Sequence, residues 1–250
     1  MLDAGSVALV LDVLRPERHA LLATLEALDA AAWAGPTECP AYSVKGVATH
    51  ILGDDLSLLS RQRDGAENGL LQVAVELPGS DFRALLDTFN DRWVVASRYL
   101  STELVIELLR LTGEWTASYY EDVDPRAPGE PVGFFGVQGS SSPFWHAIAR
   151  EYVERWVHHS QIRRAAGLGS LDDHTFLAVG TEVIAAAAGV EPRIPNEPGG
   201  SWALGSVTLG PARQAADILT RAHSGAEIRL LATGPIDAVE LLAAYCAGRS

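Results

Sequence analysis

Hydrophobic positions in the first 167 residues recur at the three- and four-residue spacing of amphipathic helices. The first predicted helix covers residues 4 to 32. Its apolar positions are Val7, Leu11, Leu14, Leu21, Leu25 and Leu28. Proline has no amide donor for a helix interior, so we expect Pro16 to kink or restart this helix.

A second and a third helix follow after loop-like stretches. Ser43 is a suitable N-cap for a helix that extends to about Arg63, because its hydroxyl can accept a hydrogen bond from an otherwise unbonded amide. Residues 64 to 80 read as a loop. A third helix begins near Asp81 and continues, after a possible cap at Ser101 or Thr102, to about Tyr120. Its apolar face comprises Phe82, Leu85, Leu86, Phe89 and Trp93.

The fourth helix has the strongest pattern of the chain. Residues 124 to 143 are rich in Pro, Gly and Ser and are predicted to be a long irregular connection. The helix then covers residues 144 to 166 and ends at Gly167, a residue type that favours the turn after a helix. Four long helical segments predict an antiparallel four-helix bundle.

Beyond Gly169 the pattern changes to shorter elements around a Pro/Gly-rich break at residues 192 to 200. It predicts a helix over residues 175–188 and a final helix over residues 237–247. Two candidate strands cover residues 202–209 and 228–232. Residues 212–222 are ambiguous between helix and strand. The predicted fold class is mainly α. The predicted domains are a bundle over residues 1–168 and a small α+β domain over residues 169–250.

Composition and charge restrict the partners and the cellular compartment that we expect. The net charge of −13 disfavours binding to phosphate backbones, so we expect no nucleic-acid partner. No run of eighteen apolar residues occurs and the first thirty positions contain several charged residues, so we expect neither a membrane span nor a secretory signal. Cys39 and Cys246 make a poor disulfide framework and indicate a reduced cytoplasm. The single lysine among eighteen arginines is typical of a GC-rich bacterial genome.

The candidate chemistry lies on two of the predicted helices. Glu154 and His158 are four residues apart, so their side chains share one helix face and can chelate one ion, although a solvated pair has the same spacing. His50 lies beside apolar neighbours on the second helix, where a lone histidine is usually a hydrogen-bonded core residue. Together the three would form a site with an open coordination position, and Asp54 could hold the His50 imidazole by its second nitrogen.

Other candidates have simpler interpretations. His159 follows His158 directly and points roughly 100° away around the helix, so it should not share the ion. His146 lies roughly 12 Å along the axis before Glu154. It could line a pocket, but a hydrogen-bonded or surface histidine is the simpler interpretation. Cys39 could be a catalytic thiol or a fourth metal ligand, although a buried or exposed cysteine without such a role is the simpler interpretation.

The remaining aromatic residues and glycine-containing segments indicate no further function. Trp145, Trp156 and Tyr152 are expected to pack in the core. The glycines at Gly199-Gly200 and Gly139 do not form a nucleotide-binding motif, and no nucleophile-elbow motif is present.

Two segments together resemble a known family. Trp33 is followed by PTECPAYSVKGVATHILGD, and AREYVERWVHHSQIRRAAG follows about a hundred residues later. This order resembles the DinB/YfiT-like superfamily, and within it the mycothiol-dependent maleylpyruvate isomerase family, over about residues 5 to 168. The later likeness is looser and includes Ile228-Arg229-Leu230. The resemblance implies a divalent metal, most simply Zn²⁺, held by His50, Glu154 and His158.

The resemblance also implies mycothiol as a thiol cofactor whose sulfur binds the metal. As an isomerase, the thiolate would add to an activated double bond and leave after rotation; as an S-transferase, it would stay attached to a small electrophile. Relatives often have an Asp where this chain has Gln161. The alternatives are a DinB-like metal-binding protein without thiol-dependent catalysis, and an interaction domain with a structural ion. The substrate, the native metal and the choice between monomer and homodimer stay open.

Overall fold

A computed structural model describes residues 2–135 and 141–247. Residues 136–140, including Gly139 within the predicted irregular connection, lie outside the described residues. The chain forms two compact units, one made of residues 18–121 and the other of residues 1–17 and 122–249. None of the described helices is long and apolar enough to cross a membrane. The predicted domain boundary at residues 168 and 169 stays a prediction.

The first predicted helix is divided in two. Helix α1 spans Ala8–Glu26 and continues through Pro16, so the proline does not restart it. The break falls later, where Asp29 caps the short helix α2, Ala30–Ala34, by accepting a hydrogen bond from the amide of Ala32 at 2.8 Å. A carboxylate at an N-cap competes with helix continuation because it satisfies a backbone amide outside a helical conformation.

Helix α3 spans Val44–Leu58 and begins as predicted. The Ser43 hydroxyl accepts a hydrogen bond from the amide of Gly46 at 3.2 Å, and a π-helical turn at Leu59–Arg63 extends the helix to the predicted end. The predicted loop over residues 64 to 80 is wrong in part, because it contains helix α4.

Helix α4 spans Gly69–Glu76. The Asn68 side chain caps it by accepting from the amide of Leu70 at 2.9 Å, and Val73 is buried. Eight residues are too few to show a clear helical periodicity, so the sequence pattern did not predict this helix. Packing against the next helix in the chain stabilises α4.

Helix α5 spans Phe82–Ser97, so it begins near Asp81 as predicted, and the Asp81 side chain caps it. Helix α6 spans Thr102–Asp122, and the Ser101 hydroxyl accepts from the amide of Leu104 at 3.2 Å. The predicted apolar face of α5 is only partly buried, since Phe82 is 69% exposed.

A buried polar network stabilises the unit of residues 18–121. The Arg18 guanidinium donates to both carboxylate oxygens of Asp55, at 2.7 and 3.1 Å, and to the carbonyl of Leu109 at 2.6 Å. Thr112 donates to the same carboxylate at 2.6 Å. A Cβ on Gly113 would lie 2.7 Å from Arg18, so this glycine makes room for the network. The buried apolar residues of the same unit include Leu21, Leu25, Val44, Val47, Leu52 and Val105.

The second unit is centred on helix α7, Phe144–Ala165. Before it, β1 (Pro128–Gly129) and β2 (Ser142–Pro143) pair antiparallel. Gly167 follows α7 with φ of 75° and its amide donates to the carbonyl of Arg164, as the predicted helix end requires. Trp156 is fully buried, and its indole donates to the carbonyl of Leu171 at 2.9 Å.

The C-terminal elements confirm a small α+β part. They are α8 (His174–Ala188), β3 (Pro192–Arg193), β4 (Trp202–Leu204), β5 (Val207–Gly210), α9 (Ala212–Leu219), α10 (Gly225–Leu231) and α11 (Ile236–Ala247), with the sheet order β3-β4-β5. The candidate strand at 228–232 is wrong. Ser224 and Glu227 form a capping box that starts a helix there. The predicted fold class, mainly α with a small α+β C-terminal part, is confirmed.

Candidate metal centre

Helix α7 places two of the predicted ligands side by side. The imidazole Nε2 of His158 lies 3.8 Å from a carboxylate oxygen of Glu154. The His158 side chain is buried and that of Glu154 is 21% exposed, so the pair lies at the border between core and solvent. The predicted sharing of one helix face is thus observed. Such an i,i+4 pair has little freedom to rearrange, because both residues belong to the longest helix of this unit.

Gln161 determines the tautomer of His158. The Gln161 amide oxygen lies 2.8 Å from Nδ1 of His158, and an amide oxygen only accepts hydrogen bonds. Nδ1 therefore carries the proton. In the neutral imidazole, Nε2 then presents its lone pair on the side of the Glu154 carboxylate. Two electron-pair donors 3.8 Å apart suit a bound cation, so the chemistry of this donor set fits a divalent metal.

His50 lies on α3 in the other compact unit. It is 7% exposed, and its Nε2 lies 3.5 Å from the carboxylate of Asp54, the residue that was expected to hold it. The Tyr42 ring stacks against the His50 imidazole, with 6.1 Å between ring centroids and 28° between planes. Burial raises the pKa of Tyr42 and the hydrogen bond to Asp91 adds to that shift, so the phenol stays protonated.

Two glycines leave space on either side of His50. A Cβ on Gly46, one turn earlier, would lie 3.0 Å from Tyr42, and a Cβ on Gly53, three residues later, would lie 2.7 Å from Trp93. The three α3 positions share one helix face. Tyr42 therefore packs on Gly46 and His50, and Trp93 packs on Gly53 of the same helix, an arrangement that was not predicted from the sequence. Glycines at i−4 and i+3 in a helix interior were the available signal, since glycine there costs helix stability.

The structure brings Glu154 and His158 together, while His50 is described in its own unit with Asp54 and Tyr42. Across residues 2–135 and 141–247, no group of three or more His, Cys, Asp or Glu side chains forms a metal-holding cluster. The three-ligand set accordingly stays a prediction.

His159 has the separate orientation that was expected. It is fully buried, and its Nδ1 lies 2.8 Å from the Glu17 carboxylate, which is itself 1% exposed. Tyr152 lies in the same region and donates to the carbonyl of Phe176 at 2.7 Å. Burial, and then the nearby charge of Glu17, raise the pKa of Tyr152. These residues belong to the core, as the sequence predicted for Tyr152.

The other candidates also have structural contacts. His146 stacks on Phe135 with 4.1 Å between centroids, and burial lowers the pKa of His146. Trp145 contacts both rings edge-on. Cys39 is buried.

The fold and the site together define a class: a mainly α protein whose longest helix after residue 122 carries a Glu/His pair four residues apart. A family model, described as the mycothiol maleylpyruvate isomerase N-terminal domain, matches residues 14–163. The chain belongs to this family, which confirms the resemblance. No curated protein and no solved structure matches the chain.

Proposed function

We propose that this protein is a mycothiol-dependent metalloenzyme, an isomerase or S-transferase that acts on a small electrophilic substrate. The observation that carries the proposal is the arrangement on α7, where the Gln161 amide oxygen accepts a hydrogen bond from Nδ1–H of His158 and leaves Nε2 beside the Glu154 carboxylate. Membership of the mycothiol maleylpyruvate isomerase family supports the identity of the thiol.

The proposed ligands are Glu154 and His158 from α7 and His50 from α3. A divalent ion held by two neutral imidazoles and one carboxylate keeps a net positive charge, and would therefore lower the pKa of a coordinated thiol. Zn²⁺ suits this ligand set and its open fourth position.

Gln161 replaces the acid that relatives often carry, yet it does the work of holding His158. Its oxygen accepts from Nδ1 as a carboxylate would, but adds no negative charge. The site is therefore one charge more positive than it would be with an Asp. This favours a thiolate over a thiol, so the substitution is compatible with thiol chemistry.

The test is cobalt substitution followed by titration with mycothiol. A thiolate bound to Co²⁺ gives an intense near-ultraviolet charge-transfer band, which we expect for the unaltered protein and not for Glu154→Ala or His158→Ala. The matched control is His19→Ala, because His19 is an exposed histidine on α1 and its removal should leave the band unchanged.

Each outcome separates the alternatives. Cobalt binding without a thiolate band at millimolar mycothiol would favour a metal-binding protein that lacks thiol-dependent catalysis. If the unaltered protein did not bind cobalt although its circular dichroism spectrum showed a folded, helical protein, the metal site itself would be refuted.

A further inference from the structure

Tyr42 lies directly before the N-cap of helix α3, and its backbone is fixed there. Its amide donates to the carbonyl of Cys39 at 2.9 Å, and its carbonyl accepts from the Thr37 hydroxyl at 2.8 Å. The next residue, Ser43, caps the helix. Hydrogen bonds of its own amide and carbonyl therefore hold the Tyr42 backbone at the start of α3.

The Tyr42 side chain has a second anchor, on helix α5. Its hydroxyl donates to the carboxylate of Asp91 at 2.7 Å, although the two residues are 49 positions apart in the chain. A hydrogen bond to a charged acceptor is stronger than one between neutral groups. Because the ring is held at one end by the backbone and at the other by Asp91, it has little freedom to swing away from α3.

Gly46 leaves room for the Tyr42 ring to reach His50. A Cβ on Gly46 would lie 3.0 Å from the Tyr42 Cβ and 3.5 Å from its Cγ, so a larger residue would displace the ring. His50 follows one turn later on the same helix face. The phenol ring stacks on its imidazole with 6.1 Å between centroids and 28° between planes.

The His50 imidazole is thereby restrained at a face and at an edge. The phenol lies against its face, and the Asp54 carboxylate lies 3.5 Å from Nε2 at its edge. Rotation about the Cβ–Cγ bond of His50 would turn the imidazole out of the stack and away from Asp54. All of these residues belong to the unit of residues 18–121.

We propose that Tyr42 is a positioning residue for His50, held in place by its hydrogen bond to Asp91; this inference rests on the proposed function, in which His50 is a metal ligand. A ligand that is already oriented loses less conformational freedom when the metal binds, so a restrained imidazole binds more tightly than a mobile one. The phenol acts only through His50, and Asp91 acts only through the phenol.

The first measurement is the affinity of the full chain for Zn²⁺, by competition with a chromogenic chelator. Tyr42→Leu removes the ring and should weaken binding by about 10- to 100-fold, the effect of losing a partner that orients a ligand. Tyr42→Phe keeps the ring but loses the hydrogen bond, and should weaken binding about threefold. Asp91→Asn keeps an acceptor oxygen and should bind Zn²⁺ as the unaltered protein does.

A double-mutant cycle tests whether Tyr42 and Asp91 act together. Asp91→Ala should weaken Zn²⁺ binding as much as Tyr42→Phe, and the double variant no more than either, because both changes remove the same hydrogen bond. Tyr99→Phe is the matched control, since Tyr99 is 80% exposed and its hydroxyl is bonded to Arg98. Additive losses would overturn the proposal, and these conservative variants decide it even if Tyr42→Leu does not fold.

The second measurement uses NMR signals of the protein without metal. The carbon-bound protons of the His50 imidazole lie in the ring current of Tyr42, and comparison with His50→Gln assigns them. These signals should shift in Tyr42→Leu and, to a smaller extent, in Tyr42→Phe and Asp91→Ala, but not in Tyr99→Phe. A residue that only stabilised the fold would not move the His50 signals selectively.

The outcomes separate this inference from the proposed function. If the unaltered protein bound Zn²⁺ and every Tyr42 and Asp91 variant bound it as tightly, the positioning role would be overturned while the proposed function would stand. If the unaltered protein bound no Zn²⁺, the proposed function would fail and the His50 signals would decide. A shift in Tyr42→Phe that Asp91→Ala reproduces would support the restraint of His50, and unchanged signals would refute it.

Discussion

Gln161 and His158 are joined by a hydrogen bond of 2.8 Å between the amide oxygen and Nδ1. Because the acceptor is an amide rather than a carboxylate, it selects the tautomer of His158 without adding charge. Hydrogen bonds of this kind orient a histidine ring and adjust its basicity. Gln161 therefore affects, through His158, the nitrogen that faces Glu154.

The first prediction concerns this hydrogen bond. Gln161→Leu should weaken metal binding by about 10- to 100-fold, because the His158 ring loses the partner that orients it. Competition with a chromogenic chelator measures the change. Gln161→Glu, which keeps an acceptor, should bind metal at least as tightly as the unaltered protein. Equal weakening by both substitutions would show that side-chain packing matters here and the hydrogen bond does not.

The second prediction concerns protons and the metal. Protons compete with metals for imidazole nitrogens, so apparent metal affinity should fall as the pH drops below about 6.5, the pKa of an unperturbed histidine. Stabilisation by bound metal is then present above that pH and is lost below it. Melting temperatures with and without a chelator, at pH 7.5 and pH 5.5, measure this. A chelator effect of the same size at both values would contradict imidazole ligation.

The third prediction concerns the Arg18–Asp55 pair, whose side chains are 4% and 0% exposed. Asp55→Ala should lower the free energy of unfolding by about 3–5 kcal/mol, because it leaves a buried guanidinium without its carboxylate. Urea denaturation measures the loss. In the half-exposed Arg110–Glu26 pair, Glu26→Ala should cost less than about 1 kcal/mol. Similar costs for the two substitutions would show that burial does not determine the importance of the Arg18 network.

The fourth prediction concerns the contact of Gly53 with Trp93. Gly53→Ala should destabilise the protein by about 1–3 kcal/mol, because the new Cβ would lie 2.7 Å from the Trp93 side chain. Trp93→Gly removes that obstacle, including the Trp93 Cβ that lies nearest, so adding Gly53→Ala to it should cost much less. A double-mutant cycle by urea denaturation gives the coupling, and additive effects would refute the steric explanation.

The fifth prediction concerns the buried Glu17–His159 pair. Glu17→Leu should lower the free energy of unfolding by about 1–3 kcal/mol, since Nδ1 of His159 loses its partner away from water. Glu17→Gln retains an acceptor oxygen and should cost less. If Glu17→Gln cost as much as Glu17→Leu, the charge of Glu17 would be the essential property rather than its ability to accept.

Local pattern was sufficient for much of the helical architecture. Helical periodicity and caps such as Ser43 and Asp81 act within a few residues, so they can be recognised without the fold. The same holds for Glu154 and His158, because four-residue spacing on a helix places both side chains on one face. Pattern was insufficient at α4, because eight residues are too few to distinguish a short helix from a loop. It was also insufficient at α10, where a capping box starts a helix in a sequence that resembles a strand.

By itself, the sequence determined the mainly α class, the resemblance to the family and the pairing on α7, because these depend on neighbours along the chain. Tertiary structure alone decided the partners across the fold. Tyr42 reaches Asp91 across 49 residues, and Glu17 reaches His159 across 142. Such contacts have no periodic signal, since they arise only when separate helices pack and bring their side chains within hydrogen-bonding distance.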